Sequence, residues 1–138
     1  VYAVLCSIYR EWQKRRELTR LMPADRVWVG QAGCPPPFAL ILGGTESVYR
    51  RTTHGYLCKG GVSILLAGEE LGRVEELAEV VRRHFDGWRG SLGSQAMLLG
   101  LCLRRTQLRC TEEGTWETEL DFSAVIFYPV VGPPAQEG

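Results

Sequence analysis

Apolar residues recur along this chain with two different periods, and the switches between them divide it into helices and strands. Over residues 1 to about 20, Val1, Leu5, Ile8 and Trp12 fall on one stripe while Arg10, Glu11, Gln13 and Lys14 lie away from it, so the spacing predicts an amphipathic helix bounded by Pro23. Leu18, Leu21 and Met22 project to a different side, which predicts a bend or a separate contact in its last turns. A clearer helix is expected from about Glu69 to Phe85, with Leu71, Val74, Leu77, Ala78, Val81 and Phe85 on its apolar face. On its wet side Glu69 with Arg73 and Glu79 with Arg83 stand four apart in the favourable acid-before-base order, and Asp86-Gly87 supplies the stop. Arg89 to Ser94 reads as loop.

The remaining apolar segments read as strands. Arg26 to Gly30 is a short one, and Phe38 to Leu42 follows a stiff approach through Pro35, Pro36 and Pro37. Phe38 to Leu42 is apolar without alternation, which predicts a strand buried on both faces, and Val62 to Ala67 is a second apolar run that reads as another core strand. The stretch between them, Thr45 to Gly60, is rich in Arg, Thr, Tyr and Gly and far longer than a hairpin needs, so a protruding β-hairpin or loop arm is expected. Two long strands close the chain. Trp116, Thr118, Leu120, Phe122, Ala124, Ile126 and Tyr128 alternate with Glu117, Glu119, Asp121 and Ser123, and Met97 to Cys110 starts apolar and becomes polar toward Arg104, Arg105 and Arg109. Glu112-Glu113-Gly114 is the turn between them. The pattern as a whole is α+β: a mainly antiparallel sheet with two helices packed on one face and a long protruding arm. Residues 1–129 are expected to form one domain, followed by a Pro/Gly-rich tail at 130–138.

Composition narrows the function more than the fold. With 45% hydrophobic and 23% charged residues the chain is globular, and the absence of a spanning apolar run or a signal-peptide order predicts synthesis in the cytoplasm and no membrane partner. A formal net charge of zero removes the general attraction to phosphate backbones, so no sequence-specific nucleic acid is expected. Cys6, Cys34, Cys58, Cys102 and Cys110 are odd in number and contain no Cys-x-x-Cys pair, which reads as reduced, mostly buried thiols. Of Trp12, Trp28, Trp88 and Trp116, all suited to core anchoring, Trp88 follows a helix stop and is the best placed for an exposed contact.

Reactive constellations are missing. His54 lies in the arm and His84 at a helix end, neither with a motif partner, and Gly43-Gly44 and Gly60-Gly61 lack the Lys-Ser/Thr of a phosphate-binding loop. Glu69-Glu70, Glu75-Glu76 and Glu112-Glu113 read as solvated helix faces and a turn rather than acid/base pairs. The charges of Lys14-Arg15-Arg16 scatter around a helix axis instead of forming a stripe that would meet DNA. The expectation is therefore no catalytic residue, no metal and no cofactor.

The order of segments is itself informative: an N-terminal helix, Arg26-Val-Trp-Val29, Pro36-Pro-Phe-Ala-Leu-Ile-Leu42, a polar arm, Val62-Ser-Ile-Leu-Leu-Ala67, the Arg73 to Arg83 helix ending Phe85-Asp-Gly87, and a closing hairpin ending Glu119 to Phe127. Over residues 1 to about 129 this resembles the tail-terminator and tail-completion proteins of long-tailed bacteriophages. The resemblance implies a virion protein, made in the host bacterial cytoplasm, that forms a hexameric ring on the tail tube, ends its polymerisation and joins it to the head connector, with DNA passing through the ring. It implies as partners other copies of the chain, the tail-tube protein and the head-completion or connector protein. Other neck or tail-tube roles are the nearest alternative, and a small α+β enzyme or ligand-binding domain is a more distant one. No site residue transfers from the resemblance. From its own residues the arm is the candidate subunit interface: Val48, Tyr49, Tyr56 and Leu57 are apolar surface that a solvated linker does not need, and Arg50, Arg51 and His54 can donate to carboxylates such as Glu112, Glu113, Glu117 or Glu119 of a neighbouring copy.

Overall fold

A computed structural model describes residues 1–93 and 96–130 of the chain. Its elements, in order, are helix α1 (Tyr2–Lys14), helix α2 (Arg16–Leu21), a single 3-10 turn at Ala24–Arg26, strands β1 (Val27–Val29), β2 (Phe38–Thr52) and β3 (Gly55–Gly68), helix α3 (Leu71–Phe85), and strands β4 (Gly90–Ser91), β5 (Met97–Cys110) and β6 (Trp116–Pro129). The strands form one sheet in the order β1-β2-β3-β6-β5-β4, in which only the β1–β2 pairing is parallel. This is the α+β arrangement that the periodicities predict. Of the 130–138 tail, Val130 is exposed and residues 131–138 lie outside the described residues.

The N-terminal helix bends in its last turns, as the change of face at Leu18, Leu21 and Met22 predicts, and the bend is a break into two helices. Arg15 adopts an extended conformation between them, and the break turns Leu18 and Met22 onto the core. Trp12 secures the corner, its indole Nε1–H donating 2.9 Å to the carbonyl of Met22. Three helices, rather than two, therefore stand on one side of the sheet, α1 against β1 and β2, α3 against β3, β6 and β5, and α2 between the other two.

That side holds the core. Ala39 and Ile41 of β2, Val62, Ile64 and Leu66 of β3, and Leu120, Phe122, Ala124 and Ile126 of β6 meet Val4, Ile8 and Trp12 of α1 and Val74, Leu77, Val81 and Phe85 of α3. Phe85 packs its ring against Trp12 and, edge-on, against Trp88. Trp88 is half-buried in this cluster and is not the exposed contact its position suggested. The strand read as buried on both faces is buried on one: Phe38, Leu40 and Leu42, with Leu65 of β3 beside them, lie half-exposed on the helix-free side. Only Cys58 of the five thiols is buried, and Cys102 and Cys110 are exposed on β5.

Several local features depart from the sequence pattern. Residues 90–91, expected to be loop, pair with Leu98 and Met97 as the short edge strand β4, while Ser94 lies outside the described residues. On α3 the ion pairs are Glu70 with Arg73 and Glu79 with Arg82, three apart rather than four, and Arg83 reaches across to Glu17 of α2. The predicted turn between the last two strands is present, with Gly114 at φ +83, a left-handed conformation that a side chain would strain.

Candidate functional site

The expected arm is the outer half of a continuous β-hairpin. β2 runs without interruption from the core strand Phe38–Leu42 to Thr52, turns through Thr53 and His54, and returns as β3 from Gly55. The turn is closed by the Thr52 hydroxyl, which donates 2.9 Å to the Gly55 carbonyl and accepts from the amides of His54 and Gly55. A side chain at Gly55 would collide with the Tyr128 carbonyl and the Phe127 ring, so close packing on β6 requires glycine there.

The two strands of the arm have different surroundings. β3 is paired along its whole length with β6, from Gly55 opposite Pro129 to Gly68 opposite Trp116. β2 is paired with β1 only at Ala39, Leu40 and Ile41, so from Gly43 to Thr52 its second edge has no strand beside it among the described residues. Two register shifts, between Gly43 and Glu46 and between Val48 and Arg50, bend this free edge.

The candidate residues divide accordingly. Tyr56 and Leu57, on β3, are half-buried: Tyr56 stacks on Tyr128 at 5.2 Å between ring centroids. Val48 and Tyr49, on β2, are 43% and 48% exposed. Arg50, Arg51 and His54 are exposed as well, and among the described residues neither arginine forms an ion pair. The Arg51 guanidinium lies over the Tyr56 ring, and the Lys59 ammonium sits 4.8 Å from the centre of the Tyr49 ring. The Lys59 contact leaves Tyr49 open to solvent, whereas Tyr56 is half-buried between Arg51 and Tyr128. The arm is anchored at its root by Tyr128, whose hydroxyl donates 2.7 Å to Glu46; burial and this carboxylate together push the phenol pKa well above its ordinary value.

Glu112 and Glu113 are not near the arm. They occupy the β5–β6 turn beside Cys110 and Trp116, and β3 separates that end of the sheet from the Thr52–Gly55 turn by its fourteen residues. At ~3.3 Å per residue this is roughly 45 Å of strand, many times the reach of an arginine side chain. Glu117 and Glu119 are engaged within the chain by Arg109, at 2.8 and 3.4 Å, and Asp121 by Ser63 and Arg105, on the helix-free face.

Sequence reasoning missed two features. Gly68 opposite Trp116 brings Glu69 and Glu70 to the same end of the sheet as Glu112 and Glu113, all four exposed. Beside them α2, the end of β3 and the first turns of α3 enclose a cleft of about 230 Å³, floored by Met22, Leu66, Val74 and Leu77. The other feature is a partner for His84: its Nε2–H donates 2.9 Å to Glu11, which also accepts from Arg15 at 2.7 Å. Partial burial works against the Glu11 carboxylate, but the bonds from Arg15 and His84 outweigh it and hold the pKa below the usual carboxylate range. This cluster ties α1 to α3. Among the described residues no three His, Cys, Asp or Glu side chains are grouped to hold a metal, and no helix is long and apolar enough to cross a membrane.

No family model and no curated protein matches the chain in sequence. In structure it is similar to a chain of a solved assembly described as the virion of a native gene transfer agent particle, with a TM-score of 0.67 and 18% identity over 86% of this chain and 91% of that one. At that identity the likeness is one of fold, and it extends over nearly the whole of both chains.

Proposed function

We propose that this protein is a structural component of a phage-like virion: a ring, of six copies, that caps the tail tube, ends its polymerisation and joins it to the head connector, with the genome passing through its centre. The observation that carries this reading is the shared fold with a gene transfer agent virion chain over 86% of the length, which agrees with the segment-order resemblance to tail terminators. The distribution of surface supports it. Exposed Tyr49 and two arginines that form no ion pair among the described residues are of the types enriched at interface centres. The arm and the Glu112–Glu113 turn stand at opposite ends of the sheet, so a contact between them joins different surfaces of two copies, as the heterologous interfaces of a ring do. In this reading the protein is made in the host bacterial cytoplasm, resides at the tail or neck of the virion and performs no catalysis.

The experiment is to add the purified protein to tail tubes polymerising from their own subunits and to measure tube length by electron microscopy. Tubes that stop growing and carry a six-fold ring at one end are expected. Tubes that lengthen as they do without the protein contradict the reading.

A further inference from the structure

We propose that the receptor for the arm is the cleft between α2, the end of β3 and α3 on the next copy of the chain, with Tyr49 as the inserted side chain and Arg50 and Arg51 held by carboxylates at the cleft's rim. This rests on the ring reading above and specifies which surface answers the arm.

Three observations converge on the pair. The cleft is apolar at its floor, where Met22, Leu66, Val74 and Leu77 are all buried, and it opens outward beside Leu21. At about 230 Å³ it falls below the ~300–1,000 Å³ usual for small-molecule sites, and it is of a size for one large side chain. Tyr suits such a socket, since its ring is apolar and its hydroxyl can stay at the wet rim.

Charge is complementary as well. Arg50 and Arg51 at the arm have no carboxylate partner among the described residues, and Lys59 adds a third cation beside Tyr49. At the other end of the sheet Glu69 lines the cleft, Glu70 shares it with Arg73, and Glu112 and Glu113 project from the adjacent turn; Glu69, Glu112 and Glu113 form no ion pair among the described residues. The two sets lie at opposite ends of a strand roughly 45 Å long, so they cannot satisfy one another within one chain. A second copy can bring them together, and in the ring reading the contact repeats head to tail.

The test replaces Tyr49 by the photocrosslinking residue benzoylphenylalanine, irradiates the assembled protein and maps the joined peptides by mass spectrometry. Crosslinks between chains to the segments 21–22 or 66–77 are expected. Crosslinks to the free edge of β5 at 104–110, to any other surface, or none at all in assembled rings overturn the cleft assignment while leaving the ring reading intact. A wild-type chain that stays monomeric at every concentration and on tails defeats the ring reading itself, and this inference with it. Charge reversal gives an independent arm: Arg50→Glu with Arg51→Glu, and separately Glu69→Arg with Glu113→Arg, should each raise the concentration needed for half-assembly by about tenfold or more, and all four changes in one chain should recover most of the loss. If reversal at the cleft leaves assembly unchanged, the assignment is wrong.

Discussion

The two halves of β2 are one covalent strand in two environments. Ala39 and Ile41 are fully buried beneath the helices, whereas from Ser47 to Thr52 every residue is exposed. β5 repeats the contrast in the opposite sense: Leu98 and Leu101 are buried near its start, and Arg104 to Cys110 are exposed, including Leu108 at 46%. Between them β3 and β6 are paired along their full length and carry the core. The free halves of the two outer strands therefore lie on opposite edges and at opposite ends of the sheet. Folding is supported by the centre, and the overhangs gain little from it. An uncovered strand edge invites pairing or docking, and natural proteins cover or charge such edges when no partner is intended. Here the bulges and the charges of Arg50 and Arg51 work against plain strand pairing along β2, while exposed Val48 and Tyr49 leave it side chains with which to dock.

Substitutions should separate the two regions by size of effect. Phe85→Ala removes a fully buried ring that touches both Trp12 and Trp88, and should cost about 3–5 kcal/mol, read as a large fall in Tm; a fall no greater than that of an overhang variant would misplace the core. Gly55→Ala should be costly although it sits at the arm's turn, by about 1–3 kcal/mol, because the new methyl meets the β6 backbone. Equal stability of that variant and wild type would mean that the arm is not seated on β6. Thr118→Val should raise Tm slightly, since the Thr118 hydroxyl is buried with no hydrogen-bond partner among the described residues and removing such a group relieves a desolvation cost of about 1–3 kcal/mol. A clear fall in Tm would show that the hydroxyl is satisfied.

The smallest effect depends on pH. Because the folded-state pKa of Glu11 is depressed, its contribution to stability is present above its unfolded value of about 4.3 and is lost as pH falls through the folded value. Glu11→Gln should therefore lower urea-unfolding stability at pH 7 and make no difference at the acid end. A difference that persists or grows in acid would contradict the pairing with Arg15 and His84.

What could be read from the residues was the part of the structure governed by local period. The alternation from Trp116 to Tyr128 placed the buried face of β6 without error, and the α3 stripe gave Val74, Leu77, Val81 and Phe85. What escaped depends on contacts distant in sequence. The bend of the N-terminal helix was legible in the change of face at Leu18, Leu21 and Met22, but its position at Arg15, secured by the bond of Trp12 to Met22, was not. β4 exists because β5 returns beside it, and His84 meets Glu11 across 73 positions. The exposed Cys102 and Cys110 were expected to be buried because thiols usually are, but the β5 overhang leaves them uncovered. At the candidate site the arm residues were legible as surplus apolar and basic surface. Their separation from Glu112 and Glu113 was not, since it is set by the β3–β6 register, and that same register creates the acidic end beside the cleft.

The most direct test of the account is the mass in solution, by light scattering over a range of concentrations, of the wild-type chain beside the variant carrying Arg50→Glu and Arg51→Glu. Both arginines are exposed and form no ion pair among the described residues, and the contact of Arg51 with the Tyr56 ring is worth about 0.5–1 kcal/mol, so thermal stability should stay within about 1 kcal/mol of wild type. The account predicts that wild type reaches six times the mass of one chain while the folded variant stays smaller at the same concentration. A folded variant that assembles at wild-type concentrations would contradict the claim that the arm is the surface by which one copy holds the next.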